Sequence, residues 1–521
     1  MTTIDLARPA PVVPAAGSDV PPRHREGRAD LAVALGLTAV IVALLTWNIT
    51  GFPAASDDEG TYLAQAWAVQ HGRGLAHYTY WYDHPPLAWV QLAGLAWLPK
   101  LLFPALTAVA AGRIAMLPVQ AAGLLLVHLV SRRIGLPRWA AALALVTYGL
   151  SPLYLTMGRQ IYLDAFAVVW MLGALALALS PRRHLWHFAA AGGAAAVAVL
   201  SKETIAVVLP AVVVALWQNA ARSSTRPWAF GAFLSGLVLI GCFYPLYAVL
   251  RGELFPGPGH VSLIGAWEFQ LGSRAGSGSV FSAGSGASSL LHSWLYYDSV
   301  LLIAGAVAAF AGLALRRVRP AALAGTILVL VALRPGGYLP AMYVVQVMPF
   351  FAIAIAGVIA WAVATLRPGR TRWRWAILGT AVALSLTVVV PRWYVGDHRA
   401  LTTTDNAPYA QVAGYLHERL AGSQGGTIVV DDVLWLDCVD AGYPPDRVLW
   451  FYKVDLDSAV AERLPGGWRD VDYIVSTPAI RQDPNSLPTI RTLLTNSTVI
   501  ASFGPPDGLI EIRRVAKEAT S

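Results

Sequence analysis

Ser56-Asp57-Asp58-Glu59, then a short helical pattern from Thr61 to His71, then Tyr80-Trp81-Tyr82-Asp83-His84-Pro85-Pro86-Leu87: on this stretch the reading of the chain turns. It directly follows the first long apolar run, Leu31 to Trp47. Between Asp30 and Val395 the sequence holds ten acids, and four of them, Asp57, Asp58, Glu59 and Asp83, fall here. Carboxylates beside a bilayer are costly unless water, a partner cation or a reaction uses them. The stretch therefore reads as the reactive loop of an integral membrane protein.

Composition supports the membrane. Apolar residues make up 56% of the chain, charged residues 13%, and the mean hydropathy is +0.54. Soluble globular chains are about a quarter charged, so this one has too little polar surface for water alone. The net charge of +8 hides two different parts. Residues 1–395 carry 27 Lys and Arg against 13 Asp and Glu, whereas residues 396–521 carry 11 against 17. In the first part the positive charge sits in short loops, where it sets membrane orientation rather than binding nucleic acid. Cys242 lies in an apolar run and Cys438 in the polar tail, so no disulfide framework is expected. Abundant Ala, Gly, Arg and Pro fit a GC-rich bacterial source.

Outward from the loop, residues 1–29 are Pro- and Ala-rich without apolar periodicity and read as a disordered cytoplasmic tail. Apolar runs at 31–47, 112–131, 138–156, 163–180, 186–200, 204–218, 228–250, 299–315, 321–334, 340–366 and 375–391 give about eleven spans. Alternate connections carry Arg132-Arg133, Arg182-Arg183, Arg222 with Arg226, Arg316-Arg317 with Arg319, and Arg367, Arg370, Arg372 with Arg374. The positive-inside rule makes that side cytoplasmic. Every acid between the first and last spans then lies at the other face, so the working face is extracytoplasmic, and the N-terminus is cytoplasmic. Pro85 to Phe103, interrupted by Pro99 and Lys100, suits an interfacial helix, as does Thr61 to His71. Gly252 to Ser289 turns Gly/Ser-rich and ends at Trp294-Leu295-Tyr296-Tyr297-Asp298; a mobile lid and a plain linker both fit.

The expected fold is a polytopic α-helical membrane protein over 30–393, with an outer loop at 51–111, followed by a soluble extracytoplasmic α/β domain over 394–521. Within that domain, helices are expected at 406–420 and 487–494, and strands at 426–432, 448–452, 471–476, 499–503 and 509–514. Asp431, Asp432 and Asp437 read as strand-end, solvent-facing groups.

Four groups on the outer face stand out. Asp58 is a carboxylate placed where a general base deprotonates a hydroxyl. Asp164 follows Arg159-Gln160-Ile161-Tyr162-Leu163 at the outer end of a span, Lys202-Glu203 forms a charged turn, and His84 precedes a proline pair that restricts its backbone. Each has a structural alternative. An acidic triplet stabilises a helix start by about 0.3 to 1 kcal/mol, Arg159 can pair with Asp164, and Lys202 can snorkel to the interface. Convergence of carboxylates and cations on one face favours a reaction with an anionic leaving group.

On these residues the chain resembles the polytopic C-type-fold glycosyltransferases that use polyprenyl-phosphate sugars. The closest branches are family thirty-nine, with the protein O-mannosyltransferases, and the bacterial aminoarabinose transferases of lipid A. The acidic pair after the first span matches Asp58-Glu59, the Pro-Pro-Leu segment matches Pro85-Pro86-Leu87, the Arg and Asp of the next outer turn match Arg159 and Asp164, and a later Lys matches Lys202. The aminoarabinose branch has Lys before the proline pair, where this chain has Asp83-His84. The resemblance implies an inverting hexosyl- or pentosyltransferase, mannosyl or arabinosyl included. Catalytic groups would be Asp58, Glu59 and Asp164, and donor-phosphate ligands Lys202, Arg159 and His84. Asp57, Asp83, Tyr82, Tyr297 and Asp298 would support the site. It implies a polyprenyl-phosphate sugar donor, an extracytoplasmic glycan, lipid or protein acceptor such as a cell-wall component, and a bacterial plasma-membrane setting. No cofactor is called for, and no His/Cys cluster has metal-ligand spacing, although a divalent metal is compatible with the chemistry. The rival readings are a lipid or small-molecule transporter or flippase and an assembly protein whose C-terminal domain binds a cell-wall polymer.

Overall fold

The computed structural model describes residues 27–220, 224–366, 372–420, 426–482 and 485–517. The expected tail therefore falls outside the described residues except for 27–29, as do Arg222, Arg367 and Arg370. Among the described residues, sixteen α-helices build the first part: α1 (Arg28–Thr46), α2 (Asp57–Gln70), α3 (Leu87–Leu102), α4 (Ala108–Arg133), α5 (Arg138–Gly149), α6 (Pro152–Met157), α7 (Leu163–Ala178), α8 (Leu185–Ser201), α9 (Leu209–Asn219), α10 (Arg226–Gly241), α11 (Phe243–Leu250), α12 (Leu263–Glu268), α13 (Gly286–Gly312), α14 (Arg319–Ala332), α15 (Tyr343–Leu366) and α16 (Arg372–Thr402). Of these, α1, α4, α10 with α11, α13 and α15 are long and apolar enough to cross a membrane, and five shorter apolar helices accompany them. The shorter ones include α3, expected as an interfacial helix.

Packing in the helical body follows small residues. α8 and α10 lie so close that a Cβ on Gly192 would stand 1.9 Å from the Phe233 carbonyl oxygen, and one on Gly236 would stand 2.0 Å from that of Ala189. Such close approach is how helices associate where the hydrophobic effect between them is weak. The largest buried cluster joins residues of α4, α5, α7, α8, α13, α14 and α15. Asp30, buried in the first turn of α1, accepts from Arg132 Nη2 at 3.2 Å and Arg138 Nε at 2.7 Å, tying α1 to the end of α4 and the start of α5.

One connection differs from expectation. The Trp294 to Asp298 stretch, read as the end of a loop, is helical: α13 starts at Gly286 and is kinked at Asp298 (φ −151°, ψ 84°). Asp298 restarts the helix as an internal cap, its Oδ1 accepting from the Leu301 amide at 2.8 Å while Oδ2 takes the Ser151 hydroxyl at 2.6 Å.

The C-terminal part is an α/β unit. It contains α17 (Ala407–Tyr415), β1 (Ile428–Val430), α18 (Asp432–Asp440), β2 (Val448–Trp450), α19 (Phe451–Leu456), α20 (Ser458–Ala461), β3 (Tyr473–Ser476), α21 (Pro478–Gln482), α22 (Pro488–Thr495), β4 (Ser497–Phe503) and β5 (Ile510–Val515). The sheet order is β2-β1-β3-β5-β4, with β1 parallel to both neighbours and β5 antiparallel to β3 and β4. The interior strand β1 is buried on both faces, which suits its unbroken Ile428-Val429-Val430 run.

This unit packs directly on the acidic loop, and that corrects the reading of its own acids. Asp431, Asp432 and Asp437 are buried at the start and along one face of α18, which lies across α2. A Cβ on Gly60 of α2 would stand 2.1 Å from the Asp432 carbonyl oxygen, so only glycine allows this approach. Asp431 caps α18 through the Leu434 amide and accepts from Tyr409, while Asp437 accepts from the Ala108 amide at 2.8 Å and so caps the membrane helix α4. Lys100 and Asp440 pair at 2.8 Å across the same seam. Asn406 staples the α1–α2 connection, donating to the Thr50 and Pro53 carbonyls and accepting from the Ala55 amide.

Candidate active site

The acidic triplet splits into one structural and two available carboxylates. Ser56 opens α2, and Glu59 at the third helical position closes a capping box by accepting from the Ser56 amide at 3.1 Å. Glu59 is fully buried. Its oxygens also receive Arg113 Nε at 2.8 Å, Arg113 Nη2 at 2.7 Å and the Ile161 amide at 3.1 Å. This bidentate buried pair uses Glu59 to fix α2 against α4 and the α6–α7 turn, leaving it no lone pair for catalysis. Asp57 is exposed and Asp58 partly exposed. Asp58 Oδ1 has one weak contact, the Tyr62 hydroxyl at 3.3 Å.

Tyr62, which the sequence does not single out, marks where the other groups meet. Burial, then the charges of Asp58, Asp164, Asp83 and Glu203, push its hydroxyl well above the usual tyrosine range. Carboxylates from four separate segments thus lie within electrostatic reach of one side chain of α2. Asp164, buried in the first turn of α7, accepts from Gln346 Nε2 at 2.6 Å, and its second oxygen has no partner. The same Gln346 nitrogen donates to Thr204 Oγ1 at 2.6 Å, and the Gln346 Oε1 is buried without a partner.

Lys202, His84 and Glu203 form a hydrogen-bonded chain. Lys202 Nζ lies 2.9 Å from His84 Nε2, and His84 Nδ1 lies 3.2 Å from both oxygens of Glu203. The same ammonium lies 3.4 Å from His84 Nδ1, so the imidazole stands between the Lys202 cation and the Glu203 carboxylate. Lys202 is 2% exposed at the end of α8, and its ammonium faces the connection carrying the proline pair. The turn bearing His84 is held by its own aromatics: Tyr80 Oη donates to the His84 carbonyl at 2.6 Å, and Tyr82 Oη donates to Glu253 Oε2 at 2.6 Å. Asp83 is exposed, its Oδ1 accepting from the His84 amide.

Arg159 does not face the phosphate side that the motif implies for it. Its guanidinium is buried and donates to the carbonyls of Leu44, Leu45 and Trp47 at the end of α1 and of Ala400 in α16, at 2.7 to 3.1 Å. It caps α1, pairs with no carboxylate of this set, and has no free face for a phosphate. Tyr297 and Asp298 belong with α16 as well: they line a separate cavity of about 460 Å³ together with Gly396 and Arg399. Among the described residues no three His, Cys, Asp or Glu side chains are grouped to hold a metal ion.

Residues 83–245 match the family model for dolichyl-phosphate-mannose-protein mannosyltransferases. The fold resembles that of ArnT from Cupriavidus metallidurans bound to undecaprenyl phosphate, with a TM-score of 0.56 and 18% identity over 94% of this chain and 98% of that one. It also resembles the apo oligosaccharyltransferase of Archaeoglobus fulgidus, with a TM-score of 0.53 and 14% identity over 94% of this chain and 74% of the other. No curated protein sequence matches the chain. The chain has the C-type glycosyltransferase fold.

Within this C-type fold the family match begins at Asp83 and encloses His84, Asp164, Lys202 and Glu203, while the acidic triplet precedes it. Gln346, Tyr62 and Arg113 are site or support residues that the loop motifs miss. Gln346 and Arg113 carried a signal all the same, since each is a polar side chain inside an apolar run.

Proposed function

We propose that the chain is a membrane glycosyltransferase that moves a sugar from a polyprenyl-phosphate donor to an acceptor hydroxyl at the extracytoplasmic face, with inversion. The observation that carries this reading is the convergence of Asp58, Asp164 and the Lys202–His84–Glu203 chain beside Tyr62. Asp58 takes the hydroxyl proton as the acceptor oxygen bonds to the anomeric carbon. The bond from that carbon to the phosphate oxygen breaks, and its electron pair leaves with polyprenyl phosphate. Lys202 receives the growing charge: an arriving phosphate oxygen accepts a hydrogen bond from the ammonium that otherwise lies against His84. Glu203 orients His84, and Asp164, with one unpartnered oxygen and Gln346 beside it, orients the sugar. The polyprenyl tail stays in the bilayer while α3 and the α2 face bracket its head.

In this reading the N-terminus is cytoplasmic, and the α/β domain over 394–521 stands outside a bacterial plasma membrane. The acceptor is a glycan, lipid or protein hydroxyl, and the donor sugar a hexose or pentose.

The test is donor consumption by purified wild type and Asp58→Asn, with a panel of polyprenyl-phosphate sugars and either water or acceptor present. A wild-type rate that falls by about 10² to 10⁴ in Asp58→Asn, with donor binding kept, supports the role of the base. Movement of a lipid across vesicles without donor consumption by either protein would replace this reading with a transporter.

A further inference from the structure

The segment leading to His84 is laid along the soluble domain residue by residue. Arg73 Nη1 donates to Asp446 at 3.1 Å, His77 Nε2 lies 3.1 Å from the Pro445 carbonyl, and Tyr78 Oη donates to the Val448 carbonyl at 2.8 Å while accepting from the Trp450 amide at 3.2 Å. Thr79 Oγ1 donates to Asp457 at 3.2 Å. The series ends at Trp81, with the Lys453 ammonium of α19 only 3.3 Å from the ring centroid. Lys453 is 4% exposed and its nearest carboxylate, Asp457, is 3.5 Å away. Burial draws this ammonium below the usual lysine range, opposed by Asp457, Asp83 and Asp432, so Asp83 is within electrostatic reach.

Burying a lysine in this way costs free energy unless the site recovers it, and a cation held on a tryptophan face is one such recovery. The neighbouring residue shows that the turn needs holding. Tyr82 sits at φ 57°, left-handed for a bulky side chain, and such backbone persists only where its surroundings over-determine it. Glu253 grips Tyr82 from the helical body, and Lys453 grips Trp81 from the soluble domain. His84 follows two residues later.

We propose that Lys453 is a positioning residue for the donor-phosphate turn: by holding Trp81 it fixes His84 against Lys202, so that the soluble domain sets the donor affinity of the membrane site. The inference rests on the function proposed above, and its first readout does not depend on that function.

Amide hydrogen exchange over residues 77–84 is compared in donor-free wild type, Lys453→Met and Lys453→Arg. Lys453→Met is expected to exchange there about tenfold faster while residues 60–70 of α2 stay unchanged; Lys453→Arg, which keeps the cation on the ring, restores the protection. In turnover assays Lys453→Met raises the donor KM about tenfold with kcat within about twofold, a loss of uniform binding. If Lys453→Met fails to fold, Trp81→Leu breaks the same grip from the membrane side and should show the same exchange and the same KM. Unchanged protection over 77–84 in a folded variant overturns the inference, as does a loss confined to kcat. A wild type that consumes no donor sinks the proposed function, and the exchange result still decides whether Lys453 holds the turn.

Discussion

Asp58 and Glu59 share a helical turn, and their surroundings give them opposite work. Glu59 receives bonds from Arg113, from Ser56 and from Ile161, whereas Asp58 faces one tyrosine hydroxyl. Removing one member of a buried ion pair leaves an uncompensated charge, so Arg113→Met is expected to cost about 3 to 5 kcal/mol of stability, read as a lowered thermal midpoint. Asp58→Asn should leave that midpoint in place. At Arg159 the expected outcome separates a cap from a phosphate ligand. Arg159→Met orphans carbonyls at the end of α1, which costs about 1 to 3 kcal/mol of stability, read as a lowered thermal midpoint, while the donor KM of the folded protein is unchanged. A raised KM with an unchanged midpoint would return Arg159 to the phosphate.

Between elements, α2 is held against α18 by an approach that only glycine allows. Gly60 has no room for a side chain, because a Cβ would press on the backbone of Asp432 rather than on a side chain that can swing away. Gly60→Ala is expected to cost about 1 to 3 kcal/mol and to loosen the C-terminal α/β unit from α2. Limited proteolysis in the connection after α16 checks this, with faster cleavage expected in the variant. The pair Gly192 and Gly236 does the same for α8 and α10, and α8 is the helix whose end presents Lys202.

Across the whole molecule the two parts meet through buried acids, and this makes their association depend on pH. Burial pushes the Asp437 carboxyl up to about 7 and Asp431 up to about 6, from an ordinary value of 3.8. Between the ordinary value and these raised ones the folded protein holds protons that the unfolded chain has released. Its stability therefore falls as pH rises from about 4 through 7, and each tenfold difference in proton affinity between the two states is worth about 1.4 kcal/mol. The thermal midpoint of the C-terminal part is accordingly expected to be higher at about pH 5.5 than at about pH 8. Asp437→Asn, whose amide oxygen can still accept from Ala108, should flatten that difference. A midpoint that rises with pH would contradict the burial of these acids.

Much of this protein is legible in its chain. Apolar runs too long for a soluble core and a Gly-Thr-Ile-Val-Val strand pattern after Pro391 point to the helical body and the α/β unit, because burial periodicity acts locally. Asp58 and Asp164, which resemble a known motif, both lie within electrostatic reach of Tyr62. Which carboxylate stays available, however, depends on partners about fifty to a hundred residues away, and no local pattern announces that Arg113 takes Glu59 or that Arg159 turns to the carbonyls of α1. The same holds for Asp431, Asp432 and Asp437, which look solvent-facing until α18 is laid on α2. Spacing along a chain decides which side chains share a face of an element. Only packing between elements decides which of them meets a charge, an empty oxygen or a tryptophan ring, since those energies fall off within a few ångströms and the contacts are made across the fold.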